Sequence, residues 1–145
     1  MIIRTSRQGD FGELYRITLD SLDEVFQPDI FHYFQMQWPS GQLSACTLDD
    51  RPVGYLSAIH SDQSTARIMM FAVRPNARSK GVGRMLLSAF RQRAMLEGIR
   101  TITLEVRPTN SRAISFYTRN GFSQAGTIDH FYNDGGSAVK MILSV

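Results

Sequence analysis

The sequence predicts an α/β (α+β) chain with a mixed central sheet of about six to seven strands and helices on both faces. Three observations predict it. Residues 65–73 contain Ile68-Met69-Met70-Phe71-Ala72-Val73, a strand apolar on both sides, as found in the middle of a covered sheet. Residues 83–97 carry Met85, Leu86, Ala89 and Phe90 behind Val82, an apolar stripe at helical spacing. Residues 101–106 alternate, with Ile102, Leu104 and Val106 on one face and Thr101, Thr103 and Glu105 on the other. A strand, a helix and a strand in this order demand parallel pairing with a right-handed crossover.

The remaining elements follow in order. Residues 2–5 read as a first strand. Asp10 opens a helix as its expected N-cap, with Phe11, Leu14, Tyr15, Thr18 and Leu19 at helical spacing. Pro28 interrupts the next stretch, and a second helix is expected over residues 29–37. Trp38-Pro39-Ser40-Gly41 reads as a loop. Residues 43–48 and 52–60 form a hairpin across Asp49-Asp50-Arg51. Pro75-Asn76 ends the strand 65–73, and Gly98 suits the end of the helix 83–97. Pro108-Thr109-Asn110-Ser111 feeds a short helix, 112–120, closed by Gly121. Residues 122–131 and 138–143 read as a final hairpin around Asn133-Asp134-Gly135-Gly136, where Asp-Gly favours a tight turn. No internal repeat interrupts this order, and 145 residues suit one domain over 1–145.

Composition excludes several classes. No apolar run approaches the roughly 20 residues that span a bilayer, so no membrane partner is expected. Met1-Ile2-Ile3-Arg4 has no apolar signal-peptide region, and a cytoplasmic address is the expectation. Cys46 is the single cysteine, which removes an internal disulfide or cysteine cluster and leaves a core position. His32, His60 and His130 have no metal spacing, so no metal is expected. The net charge of +3 is unevenly spread. Residues 17–50 hold six acids (Asp20, Asp23, Glu24, Asp29, Asp49, Asp50) and no Lys or Arg. Residues 78–119 hold nine basic residues against Glu97 and Glu105. Such halves suit a cationic and an anionic ligand respectively, or solvated helix faces. There is no zinc-finger, RRM or KH signature, which argues against a nucleic-acid partner.

Between the strand 65–73 and the helix lies Arg78-Ser79-Lys80-Gly81-Val82-Gly83-Arg84. Glycines there admit a ligand to the backbone, and the helix N-terminus adds partial positive charge. With Arg78, Lys80 and Arg84 this is a cradle for a pyrophosphate. A Walker A loop is absent. The Rossmann fingerprint fails too, since Leu86 stands where the third glycine belongs and seven residues separate Val73 from Gly81. Coenzyme A is the third reading, and taken by itself a basic Gly-x-Gly loop fits a purely structural turn as well.

The loop resembles the acyl-CoA loop of the GNAT superfamily: Gln or Arg, two free positions, Gly, one free position, then Gly or Ala. It follows Phe71-Ala72-Val73-Arg74-Pro75, as in that family. Leu104-Glu105-Val106-Arg107 and then Asn110-Ser111-Arg112-Ala113-Ile114-Ser115-Phe116-Tyr117-Thr118-Arg119-Asn120-Gly121-Phe122 are similar to two further family segments. Within the superfamily, Leu104–Arg107 and the C-terminal His130–Met141 resemble the N-terminal protein acetyltransferases of the ribosomal-protein-alanine and archaeal type. Phe131 departs from that pattern in place of a tyrosine, and Ser137 in place of an acid.

The resemblance implies the GNAT fold, acetyl-CoA as co-substrate, and specific residue roles. Glu105 would be the general base, directly or through water, and Tyr117 the general acid toward the leaving thiolate. Backbone N–H groups near Ala72 and Val73 would face the acyl oxygen where parallel strands splay, and Phe71 beside them would also contact the cofactor. Arg78, Ser79, Lys80, Gly81, Val82, Gly83 and Arg84 would hold the pyrophosphate, and Asn110 and Tyr117 would touch the cofactor. Asp23, Glu24 and Tyr132 would line the acceptor groove. Taken as residues alone, Glu105 could equally be a salt-bridged strand residue, Tyr117 a core aromatic and Asn110 a helix cap.

The expected function is acetyl transfer to a primary amine, foremost the N-terminal α-amine of a protein or peptide. A small amine (polyamine, amino acid or drug) is the alternative acceptor, and a non-catalytic acyl-CoA sensor the alternative class. Intact Glu105, Tyr117 and Asn110 argue against the sensor. The sequence leaves the choice between monomer and homodimer open.

Overall fold

The element order expected from spacing is the order found in the computed structural model, which describes residues 1–22 and 26–145. The strands are β1 (Ile2–Thr5), β2 (Gln42–Cys46), β3 (Pro52–His60), β4 (Thr65–Val73), β5 (Thr101–Val106), β6 (Ser123–Ile128) and β7 (Ala138–Ser144). The helices are α1 (Phe11–Ser21), α2 (Ile30–Gln37), α3 (Val82–Leu96) and α4 (Ser111–Arg119). The seven strands form one mixed sheet in the order β1-β2-β3-β4-β5-β7-β6. Only β4 and β5, joined through α3, pair in parallel.

Each face of the sheet buries a separate apolar cluster. Leu14 and Ile17 of α1 and Phe31 and Phe34 of α2 pack on Tyr55, Met70 and Ala72. Phe31 meets the Tyr55 ring edge-on at 5.4 Å and 84°, and the buried Tyr55 hydroxyl lies 2.5 Å from Thr18 Oγ1. On the other face, Leu86, Leu87, Phe90 and Ala94 of α3 pack on Leu56, Ile68, Ile102, Leu104 and Met141. Ala113, Ile114, Phe116 and Tyr117 of α4 join that cluster from its rim. Cys46 is fully buried.

β4 changes face part-way along. Ser57 pairs with Met70 but Ala58 pairs with Ile68, so Met69 is one residue too many on β4. Before it, Ala66 and Ile68 point to the α3 side; beyond it, Met70 and Ala72 point to the α1–α2 side. The apolar run is thus shared between two cores, as the sequence expectation requires. The parallel ladder with β5 extends over Thr65–Arg67 against Thr101–Thr103, ending just before this bulge. From Met70 onward β4 keeps β3 but has no ladder to β5, and a notch opens in the middle of the sheet.

Two local features differ from expectation, and the order of the last two strands is one that the sequence reading left open. β7 enters the sheet between β5 and β6, because Val139, Met141 and Leu143 are all buried whereas every residue of β6 is exposed. The final turn is broad: β6 ends at Ile128, and residues 129–137 form a loop rather than a tight hairpin. Within it His130 and Gly135 take positive φ, and the Tyr132 N–H donates to the Gly136 carbonyl. Asp10 precedes α1 without capping it. Its carboxylate instead accepts the Arg7 N–H at 2.8 Å and a two-nitrogen contact from Arg4. Arg4 also reaches Asp50, tying β1 to the β2–β3 turn.

Desolvation opposes the Asp10 charge, but Arg4 and the Arg7 N–H outweigh it, and the carboxyl titrates below its ordinary range. A carboxylate whose folded pKa is depressed stabilises above its unfolded value of about 3.9 and loses that contribution as pH falls through the folded one. Asp10→Asn should therefore lower the Tm at pH 7, and the gap to wild type should narrow progressively as pH falls below the unfolded value of about 3.9. Thermal scans across pH test this; a gap constant with pH would show that the contribution is not ionic.

Candidate functional site

The segment after β4 is shaped by two left-handed residues. Pro75–Ala77 makes one 3₁₀ turn, Ser79 takes φ 64°, and Gly81 takes φ 81° as the residue preceding α3. The first N–H groups of α3 have no partner within the helix, and this turn aims them at the notch. Arg78 Nε donates to the Val73 carbonyl at 3.1 Å, fastening the loop to the end of β4. The two glycines act differently. A Cβ on Gly81 would meet nothing within 4 Å, so that face is open to a ligand. A Cβ on Gly83 would stand 3.4 Å from the Phe116 ring, an ordinary contact, so the space beside Gly83 is bounded by α4 rather than open.

A cavity of about 920 Å³ occupies the notch. Its wall brings together Phe71, Ala72, Val73, Arg78, Ser79, Gly81, Val82, Gly83, Arg84, Asn110 and Tyr117. Lys80, also expected to touch a cofactor, is exposed and outside that wall. The wall adds residues that sequence reasoning missed: Ser21 and Leu22 from the end of α1, and Arg112, Ala113, Phe116, Arg119 and Asn120 from α4. The amphipathic spacing of α4 was the available signal for the last group. A smaller cleft of about 460 Å³ continues along α3, edged by Arg84, Arg91 and Arg119. Four of the nine basic residues of 78–119, Arg78, Arg84, Arg112 and Arg119, thus line the cavity, and Arg91 edges the cleft beside it.

Tyr117 is half-buried among aromatic rings, 5.4 Å from Phe122 and 6.2 Å from Phe71. Burial pushes its phenol well above the ordinary range for tyrosine. Asn110 caps α4, its Oδ1 accepting the Ala113 N–H at 3.1 Å, and it also lines the cavity.

Glu105 lies on the opposite face of β5 from Leu104 and Val106, and so on the opposite face of the sheet from Tyr117. It is outside the cavity wall. Its carboxylate is largely buried, with 9% of the side chain exposed, and pairs with Arg67 of β4. Arg67 in turn lies 5.9 Å from the Phe131 ring centroid. Two residues along from Glu105, the Arg107 guanidinium stacks 3.9 Å above the Tyr132 ring and pairs with Asp134 at 3.2 Å. These contacts draw the loop 129–137 over the Glu105 side of β5. Tyr132 is thus near Glu105 in the fold and not in the cavity wall. Asp23 and Glu24 lie outside the described residues. Among the described residues no His, Cys, Asp and Glu cluster could hold a metal, and no helix is long and apolar enough to cross a membrane.

The residues fit an acyl-coenzyme: an open left-handed glycine, a helix N-terminus, Arg78 and Arg84 for phosphates, and a long cavity leading to aromatic walls. Comparison with known proteins agrees. The model of the acetyltransferase (GNAT) family matches residues 11–122. The crystal structure of Ard1 from Thermoplasma volcanium superposes with a TM-score of 0.95 at 30% identity, covering 99% of this chain and 97% of that one. An N-alpha-acetyltransferase of Sulfurisphaera tokodaii is 28% identical over 152 residues, covering 96% of this chain and 90% of that protein. A ribosomal protein bS18-alanine N-acetyltransferase of Salmonella typhimurium is 33% identical over 87 residues, covering 59% of this chain and 57% of that protein.

Replacing Gly81 tests the cradle. A side chain in the left-handed region costs about 1–2 kcal/mol, and the loop can shed that strain by turning its N–H groups away. Gly81→Ala should weaken acetyl-CoA binding about tenfold by calorimetry, where tenfold is about 1.4 kcal/mol. Undiminished affinity would place the phosphates elsewhere.

Proposed function

Since the chain belongs to the acetyltransferase (GNAT) family, we propose that its acceptor is the N-terminal α-amine of a protein or peptide. It is an acetyl-CoA-dependent N-acetyltransferase. The observation that carries the acceptor is the loop 129–137, drawn by Arg67 and Arg107 over the Glu105 face of β5. Phe131 and Tyr132 make a wall there that an extended chain can follow, and a small amine has no use for it. The relatives named above as acting on α-amines or on the alanine of ribosomal protein bS18 support the same reading. An α-amine titrates at about 7.7–8.0 and a lysine amine at about 10.4. An α-amine is thus readily available unprotonated at neutral pH.

Bound acetyl-CoA supplies an acetyl thioester to the notch. In this reading Glu105 Oε2 accepts the proton of the acceptor amine from the α1–α2 side of the sheet. Tyr117 stands on the other side and holds its proton at the hydroxyl, available to the leaving sulfur. The backbone N–H of Val73 orients the acyl oxygen, since β4 has left β5 by that point, while the neighbouring Arg74 N–H donates to the Val53 carbonyl on β3. Phe71, Phe116 and Phe122 around the phenol keep water from it. Asn110 fixes the start of α4 and so the height of Tyr117 over the notch. Asp23 and Glu24, in the acid-rich stretch, would face a cationic acceptor.

Glu105→Gln should lower kcat by about 10²–10⁴, the usual worth of a positioned base. Tyr117→Phe should lower kcat while leaving acetyl-CoA affinity within about twofold. The raised Tyr117 pKa keeps the phenol protonated, so wild-type kcat should not fall as pH rises to about 10. Steady-state kinetics on both variants decide these roles, and wild-type rates in either would remove the role assigned to it.

A panel of short peptides with free α-amines should be acetylated with higher kcat/KM than spermidine or free amino acids. Tyr132→Ala should reduce kcat/KM for peptides by about tenfold or more and leave small amines nearly unaffected. A preference for small amines would make the acceptor a small molecule, and no turnover on any amine would make the domain a sensor.

A further inference from the structure

We propose that Arg67 is a positioning residue that presents one oxygen of Glu105 to the acceptor amine. The proposal rests on the reading of Glu105 as proton acceptor and adds a residue to that site.

The geometry is one-sided. Arg67 Nε donates to Glu105 Oε1 at 2.7 Å, and Nη2 reaches the same oxygen. A guanidinium facing a carboxylate usually engages both oxygens, one nitrogen to each. Here both nitrogens converge on Oε1, so Oε2 keeps its lone pairs for another donor. The carboxylate cannot rotate without breaking a charge-assisted contact, and with 9% of its side chain exposed it has little water to turn into.

Arg67 is itself held from two directions. Its backbone is the last rung of the parallel ladder, paired with Thr103 two residues before Glu105. Its guanidinium lies 5.9 Å from the Phe131 ring centroid, within cation–π range. The arginine therefore connects three things: the point where the ladder ends, the carboxylate oxygen, and the loop that walls the acceptor side. Lys140, opposite Glu105 on β7, is a second cation on the same strand register, but the ion pair is made by Arg67. A carboxylate swinging through an ångström-scale arc would lose much of its advantage as a base, since misplacement of about 1 Å can cost about a hundredfold in rate.

The test is a double-mutant cycle read in kcat, with acceptor KM, acetyl-CoA affinity and Tm measured on every variant. Arg67→Gln should lower kcat about tenfold to a hundredfold and leave acetyl-CoA affinity within about twofold. Arg67→Lys, which keeps the charge but loses the planar fork, should recover part of the loss. In the Glu105→Gln background, Arg67→Gln should cost less than about twofold, because the oxygen it positions no longer takes a proton. A merely structural arginine would cost the same factor in both backgrounds, and that result overturns the proposal, as does a wild-type kcat in Arg67→Gln. If Glu105→Gln alone keeps wild-type kcat, the role of Glu105 falls and the proposal with it, an outcome distinct from losing Arg67 alone. Should Arg67→Gln fail to fold, the same cycle is run with Arg67→Lys, and equal losses in the two backgrounds are again decisive against it.

Discussion

The whole site depends on one extra residue in a strand. Met69 has no partner of its own on β3, and the backbone on either side of it faces different ways. Hydrogen-bonded strands cannot separate without leaving polar groups unpaired, so a sheet normally has no opening at its centre. The bulge supplies the local bend at which β4 parts from β5 while β3 still pairs with it. Everything placed around the opening follows from that bend: the end of β4, the glycine turn before α3, the start of α4, and the ion pair at the last rung. The exchange of faces also divides one apolar run between two cores, so both helix layers are anchored to the strand that opens.

The two sides of the opening have different chemistry. The side toward α3 and α4 is ringed by arginines and lined by aromatic rings. The other side carries a largely buried carboxylate beneath a loop that two arginines hold in place. In the proposed function, a polyanionic coenzyme and an amine-bearing chain would meet complementary surfaces from opposite directions. Glu105 and Tyr117 lie on opposite faces of the sheet, so in the roles proposed for them a proton would leave on one side and be supplied on the other.

Much of this was legible in the chain. The element order, the alternation at 101–106 and the glycine turn all depend on short-range periodicity, which one sequence displays directly. The cavity likewise gathers Arg78 and Gly81, which local pattern had singled out, and Tyr117, which only the family resemblance had marked. What was not legible required knowing which strand lies beside which. Arg67 and Glu105 are 38 positions apart, and only the parallel register brings them together. Arg107 and Tyr132 meet because β7, and not β6, lies beside β5, an order decided by which strand has a face to bury. That Gly83, besides lining the cavity, lies in contact with the Phe116 ring was hidden for the same reason: a local pattern cannot place the helix that carries Phe116. Asp10 stood where a helix cap belongs, and the arginine of a neighbouring strand took its carboxylate instead.

The outer margins of the sheet have a bearing on aggregation. β1 is only four residues long. β6, at the far margin, is exposed along its length and loses register between Gln124 and Thr127, where Gly126 takes φ 129°. Short or bent outer strands are poor templates for another chain to add to. The fold thus blunts both rims where a stray polypeptide would make cross-molecular ladders, and leaves backbone unlatched at the interior seam between β4 and β5. With the acceptor proposed above, a protein that handles extended chains would in this way avoid being captured by them.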